Sequence, residues 1–369
     1  MREDRPAPRD DDLDETLIVS RGIATAVAPE SGLTDTQIGL LGAITRALTG
    51  HDVDYRSLEP LGPEDLAHCL ASRPDDYRHR IVHHMVLGEM VLRPLPTSVS
   101  FRVATFADAL GVHDDFVRIA RRFAQGAYGL AWLDLQRNGF ADHVRDADDP
   151  KSLPGGHRTH LDAPQPFESR EDPEIAERWY EFESFDDETL GRAVWEMYDA
   201  RGFEIPGTEG GAPPYLAQHD FVHVLADYGT NLRGELEVFA LIARADPDPK
   251  GFAWLATLLG LFETGFIADT GFFVRDRDGG RHADAPGMDR RIADAILRGK
   301  RVCEHNATDL FEIDYYEHSH RPVGEVREIL GIPPKGDDAV EAGSPGTFEL
   351  DGMSERQRAT VAQRRGGES

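Results

Sequence analysis

Three side chains that commonly bind metal ions lie close together in the run Gln218-His219-Asp220-Phe221-Val222-His223. Successive residues of an α-helix advance by about 100°, so His219 and His223 would lie one turn apart, with Asp220 about 60° from His223. Two imidazoles and a carboxylate on one helix face suit a zinc ion, and also iron or manganese. The spacing therefore predicts a metal site with His219, Asp220 and His223 as ligands.

A fourth candidate ligand, Glu235, comes twelve residues after His223. On one straight helix it would lie about 18 Å further along the axis, out of reach of the two histidines. The residues Tyr228-Gly229-Thr230-Asn231 can end one helix, and Asn231 can cap the next. A tight helical hairpin would then return Glu235 to the face of His219 and His223. We take Glu235 and His219 as the candidate catalytic residues.

The main alternative is ordinary packing, because a His-x-x-x-His pair on a helix often has no ligand. Here the apolar neighbours Phe221, Val222 and Leu225 indicate a buried helix. Burying imidazoles and a carboxylate without partners costs free energy. The combination with Glu235 after a helix break therefore favours the metal site over packing alone.

Hydrophobic spacing predicts helices rather than strands around this site. Apolar residues recur at helical intervals from 34 to 48, and Thr34 with Gln37 fits a capping box. Further helices are predicted over 63–70, 75–92, 97–110 and 113–136, and no period of two persists. The predicted fold class is all-α, with an N-terminal bundle and a C-terminal metal-binding helical domain.

Composition divides the chain into five predicted segments. They are a disordered leader (1–27), an N-terminal helical bundle (28–140), a linker or irregular stretch (141–185), a metal-binding helical domain (186–334) and a disordered tail (335–369). The apolar stretch 251–273 has two interpretations, a lipid channel or the central core helix of its domain.

The charge balance excludes one class of partner. Lys plus Arg number 40 against 67 Asp plus Glu, a formal net charge of −27, which repels phosphate backbones and argues against nucleic-acid binding. The cysteines Cys69 and Cys303 are too few and too far apart for a disulfide scaffold or a thiolate zinc site. With no signal-like or membrane-spanning run, we expect a cytoplasmic protein.

The metal motif resembles that of a known family, the Coq-four type of ubiquinone (coenzyme Q) biosynthesis protein. The shared pattern is His-Asp-x-x-His, eleven residues and a Glu, and Thr230-Asn231 with Gly234-Glu235 also match the family's Thr-Asn-x-x-Gly-Glu. Leu190-Gly191-Arg192 resembles the family's start of the domain, and 323–333 resembles its C-terminal helix. The similarity covers residues 186 to 334, with the helix at 34–48 as a candidate extension.

This resemblance implies a helical fold that holds a metal, usually zinc, on His219, Asp220, His223 and Glu235. It also implies a hydrophobic groove for a prenylated aromatic acid and removal of its ring carboxylate with hydroxylation at the same carbon. Partner enzymes of a quinone pathway, peripheral membrane contact and a homo-oligomer are further expectations from it.

Two other functions stay open. In the first, the protein keeps the metal without catalysis and is a lipid- or quinone-binding scaffold for partner enzymes. Alternatively, His219-Asp220 is the dyad of an HD-type phosphohydrolase, with His160 and Asp269 as further ligands and no role for Glu235.

The N-terminal bundle more loosely resembles TerB-like helical domains, in its order of helices and in Ala109-Leu110-Gly111-Val112 before the last one. That similarity implies a ligand-sensing module, and the alternative is a bundle for packing or docking.

Overall fold

The computed structural model describes residues 12–113, 115–126, 171–212, 214, 217–247, 255, 259, 282–306 and 309–367. Over these residues the chain is helical and contains no β-strand, which confirms the all-α prediction. The first six helices are α1 (Leu13–Val27), α2 (Asp35–Thr49), α3 (Pro63–Cys69), α4 (Asp75–Met90), α5 (Thr97–Ala109) and α6 (Asp115–Ala124). The later ones are α7 (Pro173–Glu181), α8 (Leu190–Arg201), α9 (Gln218–Ala226), α10 (Leu232–Ala245), α11 (Met288–Asn306), α12 (Tyr315–His318), α13 (Val323–Leu330), α14 (Asp337–Glu341) and α15 (Glu355–Gly367).

The helices predicted between residues 34 and 110 are confirmed to within a few residues. The N-terminus of α2 is closed by the predicted capping box, in which the Thr34 hydroxyl accepts from the Gln37 N–H and the Gln37 side chain accepts from the Thr34 N–H. The buried Gln37 amide also donates to the backbone carbonyls of Val27 and Gly88. One side chain thus caps α2 and joins the end of α1 to α4. The part of the last predicted helix beyond residue 126 lies outside the described residues.

The prediction of a disordered leader over 1–27 is wrong from residue 13 onward, because Leu13–Val27 forms α1. Asp12 caps this helix by accepting from the N–H groups of Asp14 and Glu15. Its inner face, which includes Val19, packs against α4 and α5. An isolated helix of this length is marginal in water, so tertiary packing supplies most of its stability.

Two further predictions of irregular structure are also wrong where the chain is described. The predicted linker 141–185 contains α7, which Asp172 caps, while residues 141–170 lie outside the described part. The predicted disordered tail 335–369 contains α14 and α15 and packs onto the α9–α10 connection.

The hydrophobic core continues across the predicted boundary between the N-terminal bundle and the metal-binding domain. Helix α11 packs extensively against α10 on one side and against α2 on another. The approach of α10 to α11 depends on Gly299, because a Cβ there would lie 2.2 Å from the Leu241 carbonyl oxygen. Helix α2 therefore belongs structurally to both halves of the chain.

No helix among the described residues is long and apolar enough to cross a lipid bilayer. The two cysteines, Cys69 and Cys303, are both free thiols, as their separation in the sequence led us to expect.

Two buried side chains of α4 make stability depend on pH in opposite directions. Burial, followed by the charge of Arg244, lowers the pKa of His84 from 6.5 to about 3. Burial raises the pKa of Glu89 from 4.5 to about 8, against the opposing charge of Arg121. The unfolded chain binds the His84 proton more readily, so this group lowers stability as the pH falls below 6.5. The folded chain holds the Glu89 proton more tightly, so that group lowers stability as the pH rises from 4.5 to 8.

Between pH 6.5 and 8 only the Glu89 effect remains, and a substitution can isolate it. We expect the free energy of unfolding of the wild type to fall across this window, relative to Glu89→Gln, by about 1 kcal/mol per pH unit. Urea unfolding at several pH values measures both slopes. The exposed Glu64→Gln is the matched control and should keep the wild-type slope. Equal slopes for the wild type and Glu89→Gln would contradict the prediction.

Candidate metal centre

The predicted helical hairpin is present. Helix α9 ends at Ala226, where Asp227 adopts a left-handed conformation with a φ of 58°, and α10 begins after Asn231. The Asn231 side chain accepts a hydrogen bond from the Gly234 N–H at 3.0 Å, which is the predicted cap. The chain therefore reverses within a few residues and brings the first turn of α10 next to α9.

This reversal places Glu235 against both histidines. The Glu235 Oε2 atom lies 3.4 Å from His219 Nε2, and Oε1 lies 3.3 Å from His223 Nε2. The residues are buried, with exposed fractions of 5% for His219, 0% for His223 and 8% for Glu235. One ligand atom from each lies within 4.8 Å of the others. The three side chains form a group that could hold a metal ion.

The electrostatics of the group favour an anionic carboxylate facing nitrogen atoms. Burial works to raise the pKa of Glu235, but the charges and hydrogen-bonding groups of His223 and His219 outweigh it and lower that pKa to about 2. Glu235 Oε2 and His223 Nε2 are both buried without a hydrogen bond in the described part of the chain. Buried polar atoms of this kind ordinarily have partners, so these two atoms fit a site that could bind a positively charged ion.

The Nδ1 atom of His223 faces a backbone carbonyl. This atom lies 3.4 Å from the Tyr228 carbonyl oxygen, which can accept a hydrogen bond from it. An imidazole that donates from Nδ1 keeps its lone pair on Nε2, the atom that faces Glu235. The His219 ring stacks on Phe239 at a centroid distance of 5.3 Å. Both rings are therefore held in place by neighbouring groups.

The fourth predicted ligand, Asp220, lies beside the group of three rather than in it. Its Oδ1 atom is 3.6 Å from His219 Nε2, and its Oδ2 atom accepts a hydrogen bond from the Tyr198 hydroxyl at 2.6 Å. Burial and the Asp220 carboxylate raise the pKa of Tyr198 well above its ordinary value, so this hydroxyl stays protonated and donates. Asp220 thus has one oxygen fixed by Tyr198 on α8.

Two glycines have steric roles in the turn: Gly234 within the Thr-Asn-x-x-Gly-Glu segment, and Gly229 directly before it. A Cβ on Gly234 would lie 1.9 Å from the Gly229 carbonyl oxygen, so only glycine allows the first turn of α10 to pass so close to the end of α9. A Cβ on Gly229 would lie 2.5 Å from the Cα of Gly352 in the C-terminal segment. Glu235 follows Gly234 directly, so this close approach sets its position.

The C-terminal segment supports the turn from outside. The Gly352 carbonyl accepts hydrogen bonds from the Thr230 and Asn231 N–H groups at 2.7 and 2.9 Å. The Thr347 hydroxyl donates to the His223 carbonyl at 2.5 Å, and the Thr347 N–H donates to Asp227. These contacts fix the backbone that carries His223 and leads to Glu235.

The sequence analysis did not identify two residues that contact this site, Tyr198 and Thr347. Tyr198 follows the landmark Leu190-Gly191-Arg192, which starts α8, but its partner Asp220 is 22 residues away and no local pattern joins them. Thr347 lies in the segment predicted to be disordered. His160, Asp269 and most of the apolar stretch 251–273 lie outside the described residues, although Leu255 and Leu259 within that stretch are buried.

The chain matches no model of a known protein family, no curated protein and no solved structure.

Proposed function

We propose that His219, His223 and Glu235 bind a divalent transition metal and that Asp220 completes or orients this set. The observation behind this proposal is that Glu235 Oε2 and His223 Nε2 are buried among potential ligands and have no hydrogen-bond partner among the described residues. Imidazole nitrogens with carboxylate oxygens are suitable ligands for zinc, and iron or manganese would also accept them.

The function that we propose for this site is an enzymatic one, the removal of a ring carboxylate from a prenylated aromatic acid. The resemblance of the His-Asp-x-x-His-x11-Glu motif to the coenzyme Q biosynthesis family supports it. The bound metal would supply Lewis acidity, which stabilises negative charge on a phenol or carboxylate oxygen. His219 and Glu235 would hold that metal, and the buried Phe239 ring stacks on the His219 ring and keeps it in place.

The oxidative form of this reaction balances with dioxygen as the oxidant. For a ring that carries a hydroxyl opposite the carboxylate, the bond to the carboxylate carbon breaks and carbon dioxide leaves. The same ring carbon then takes one oxygen atom of O2, and the second oxygen atom leaves as water. The ring is oxidised to the quinone. Equal consumption of dioxygen and release of carbon dioxide would therefore accompany turnover.

A second function, a metal-stabilised scaffold without catalysis, is favoured by the burial of the site. Structural metal sites are closed by four protein ligands, whereas catalytic zinc sites keep one position open. With His219 and Glu235 both less than 10% exposed, Asp220 as a fourth ligand would close the site. The scaffold would then bind a lipid or quinone, contact partner enzymes or a membrane surface, and form a homo-oligomer.

The third hypothesis, an HD-type phosphohydrolase, has less support. It gives no role to Glu235, whereas the structure places Glu235 between both histidines.

The metal content of the purified protein tests the site. We expect about one metal ion per chain in the wild type, as for a mononuclear site, and loss of that ion in His223→Ala. The exposed His113→Ala is the matched control and should keep the metal. Elemental analysis gives both the amount and the identity of the ion. A wild type that stays metal-free after reconstitution with zinc, iron(II) or manganese would exclude the site.

The catalytic and scaffold functions differ in the consequences of a change at Glu235. If the protein is an enzyme, Glu235→Gln should abolish release of carbon dioxide from a prenylated hydroxyaromatic acid while the circular dichroism spectrum stays that of a helical protein. The control Glu325→Gln, on the exposed face of α13, should leave turnover unchanged. Wild-type protein that holds its metal but binds such an acid without turnover would favour the scaffold.

A further inference from the structure

A cavity of about 250 Å³, which we call the N-terminal cavity, lies away from the candidate metal centre. It is bounded by α1, α2 and α4, and by the later part of α10 and α11. Arg244 of α10 is nine residues after Glu235, which corresponds to about 13 Å along the helix. The cavity is therefore not part of the His219–His223–Glu235 group.

The wall of the cavity is mainly aliphatic. Its apolar members are Val19, Ile23, Leu41, Ile44, Leu48 and Ile81. The Tyr55 hydroxyl, at another part of the wall, is already hydrogen-bonded to Thr45 at 2.9 Å. An apolar cavity of about 150 Å³ accepts a benzene molecule, so this volume suits a ligand of about ten non-hydrogen atoms.

Cationic side chains gather at the same cavity. Lys300, Arg80 and Arg244 line it, although the whole chain carries a net charge of −27. A fourth cation, Arg73, is neutralised by Glu15, from which its Nη2 atom is 2.5 Å distant. The carboxylate of Asp76 also lines the cavity but is exposed to solvent. The cluster of three cations is therefore only weakly compensated.

The burial of the Arg244 guanidinium indicates that the cavity binds a ligand. Arg244 is 92% buried, since only 8% of its surface is exposed, and its Nη1 atom has no hydrogen-bond partner in the described part of the chain. The other two cations contact backbone carbonyls and, for Lys300, one exposed carboxylate. Arg80 donates to the Pro247 carbonyl at 3.5 Å, whereas Lys300 donates to the Leu48 carbonyl at 3.2 Å and lies 3.9 Å from the Glu304 carboxylate. A buried guanidinium with an unused donor is costly unless an anion binds it.

The like charges are also close enough to affect one another. Burial lowers the pKa of Arg244, and the charge of Arg80 lowers it further, while Cys303 and Glu304 act in the opposite direction. An anion bound between Arg80 and Arg244 would relieve this repulsion. The aliphatic wall and the cations together define a ligand that is apolar at one end and anionic at the other.

We propose that the N-terminal cavity binds a small amphipathic carboxylate, with an aliphatic tail against α1 and α2 and its carboxylate on Arg244, Arg80 and Lys300. A medium-chain carboxylate such as octanoate has the right size and charge. Its binding requires neither the metal nor the reaction proposed above.

Isothermal titration calorimetry with octanoate tests this site. We expect saturable binding at one site per chain, and binding at least about tenfold weaker for 1-octanol, which has the same tail without the charge. Arg244→Gln and Arg80→Gln should each weaken octanoate binding by about tenfold or more. Arg301→Gln makes the same charge change at an exposed position of α11 outside the cavity, and should bind octanoate like the wild type.

Two further measurements keep the test decisive. Ile44→Phe places a ring in the cavity and should abolish octanoate binding, which covers the case in which Arg244→Gln fails to fold. Protein stripped of metal with a chelator should still bind octanoate, so failure of the metal proposal would leave this one intact.

Equal affinity for octanoate and 1-octanol, or no octanoate binding by folded wild type, would overturn the proposal. Phenylpropanoate binding more tightly than octanoate would overturn the assignment of an aliphatic tail.

Discussion

Replacement of Glu237 by Leu is expected to lower the free energy of unfolding by about 3–5 kcal/mol, because it leaves Arg291 buried and unpaired. Glu237 Oε2 and Arg291 Nη2 lie 2.5 Å apart between α10 and α11, where their side chains are 0% and 5% exposed. The low-dielectric surroundings make the loss of one partner far more costly than at the surface. Urea unfolding, with the midpoint and slope fitted together, measures the change.

A double variant separates the cost of an unpaired charge from the value of the pair itself. Glu237→Leu with Arg291→Met should recover most of the lost stability, because two apolar side chains can replace a buried ion pair at little cost. The exposed pair of Arg321, just before α13, and Glu325, within α13, is the control, and Glu325→Leu should change stability by no more than about 0.5 kcal/mol. A loss in Glu237→Leu as small as in this control would contradict the assignment of Glu237 and Arg291 as a buried ion pair.

Gly234→Ala is expected to remove metal binding without removing a ligand. The added Cβ would lie 1.9 Å from the Gly229 carbonyl oxygen and 2.5 Å from its carbon. Both are backbone atoms, so the first turn of α10 must move away from α9 and carry Glu235 with it. A shift of about 1 Å is enough to spoil a preorganised site. Elemental analysis should find the metal content of Gly234→Ala near that of His223→Ala.

Gly324→Ala is the matched control for this change. Gly324 lies in the first turn of α13, and a Cβ there meets nothing within 4 Å. Alanine is the better helix former, so this variant should keep its metal and gain about 0.5–1 kcal/mol of stability. Gly234→Ala with full metal content would show that the close contact at Gly229 does not set the position of Glu235.

Asp220→Asn addresses the one predicted ligand that the structure leaves beside the group. The amide oxygen can still accept from Tyr198, but the negative charge is lost. If Asp220 only orients His219, metal affinity should fall by about 10- to 100-fold, as for other residues behind the ligands. Complete loss of the metal would instead make Asp220 the fourth ligand. Metal affinity equal to that of the wild type would contradict both roles.

The local structure of the candidate site could be predicted from sequence because its signals are short in range. The spacing of His219 and His223, the break before Asn231 and the cap at Asn231 each involve residues within a few positions. A helix-turn-helix segment has few ways to fold, so the return of Glu235 to the histidines follows from local geometry. Similarly, the capping box of Thr34 and Gln37 needs no distant contact.

Short-range patterns were therefore enough to predict the all-α class, the helices between residues 34 and 110 and the approach of Glu235 to His219 and His223. They did not predict the helix Leu13–Val27, the helices within residues 335–367 or the hydrogen bond from Tyr198 to Asp220. These features depend on partners tens to more than a hundred residues away, as when the Thr230 and Asn231 N–H groups donate to the Gly352 carbonyl. Neither composition nor periodicity encodes such pairings, because they arise only when packing brings distant backbone groups within hydrogen-bonding distance.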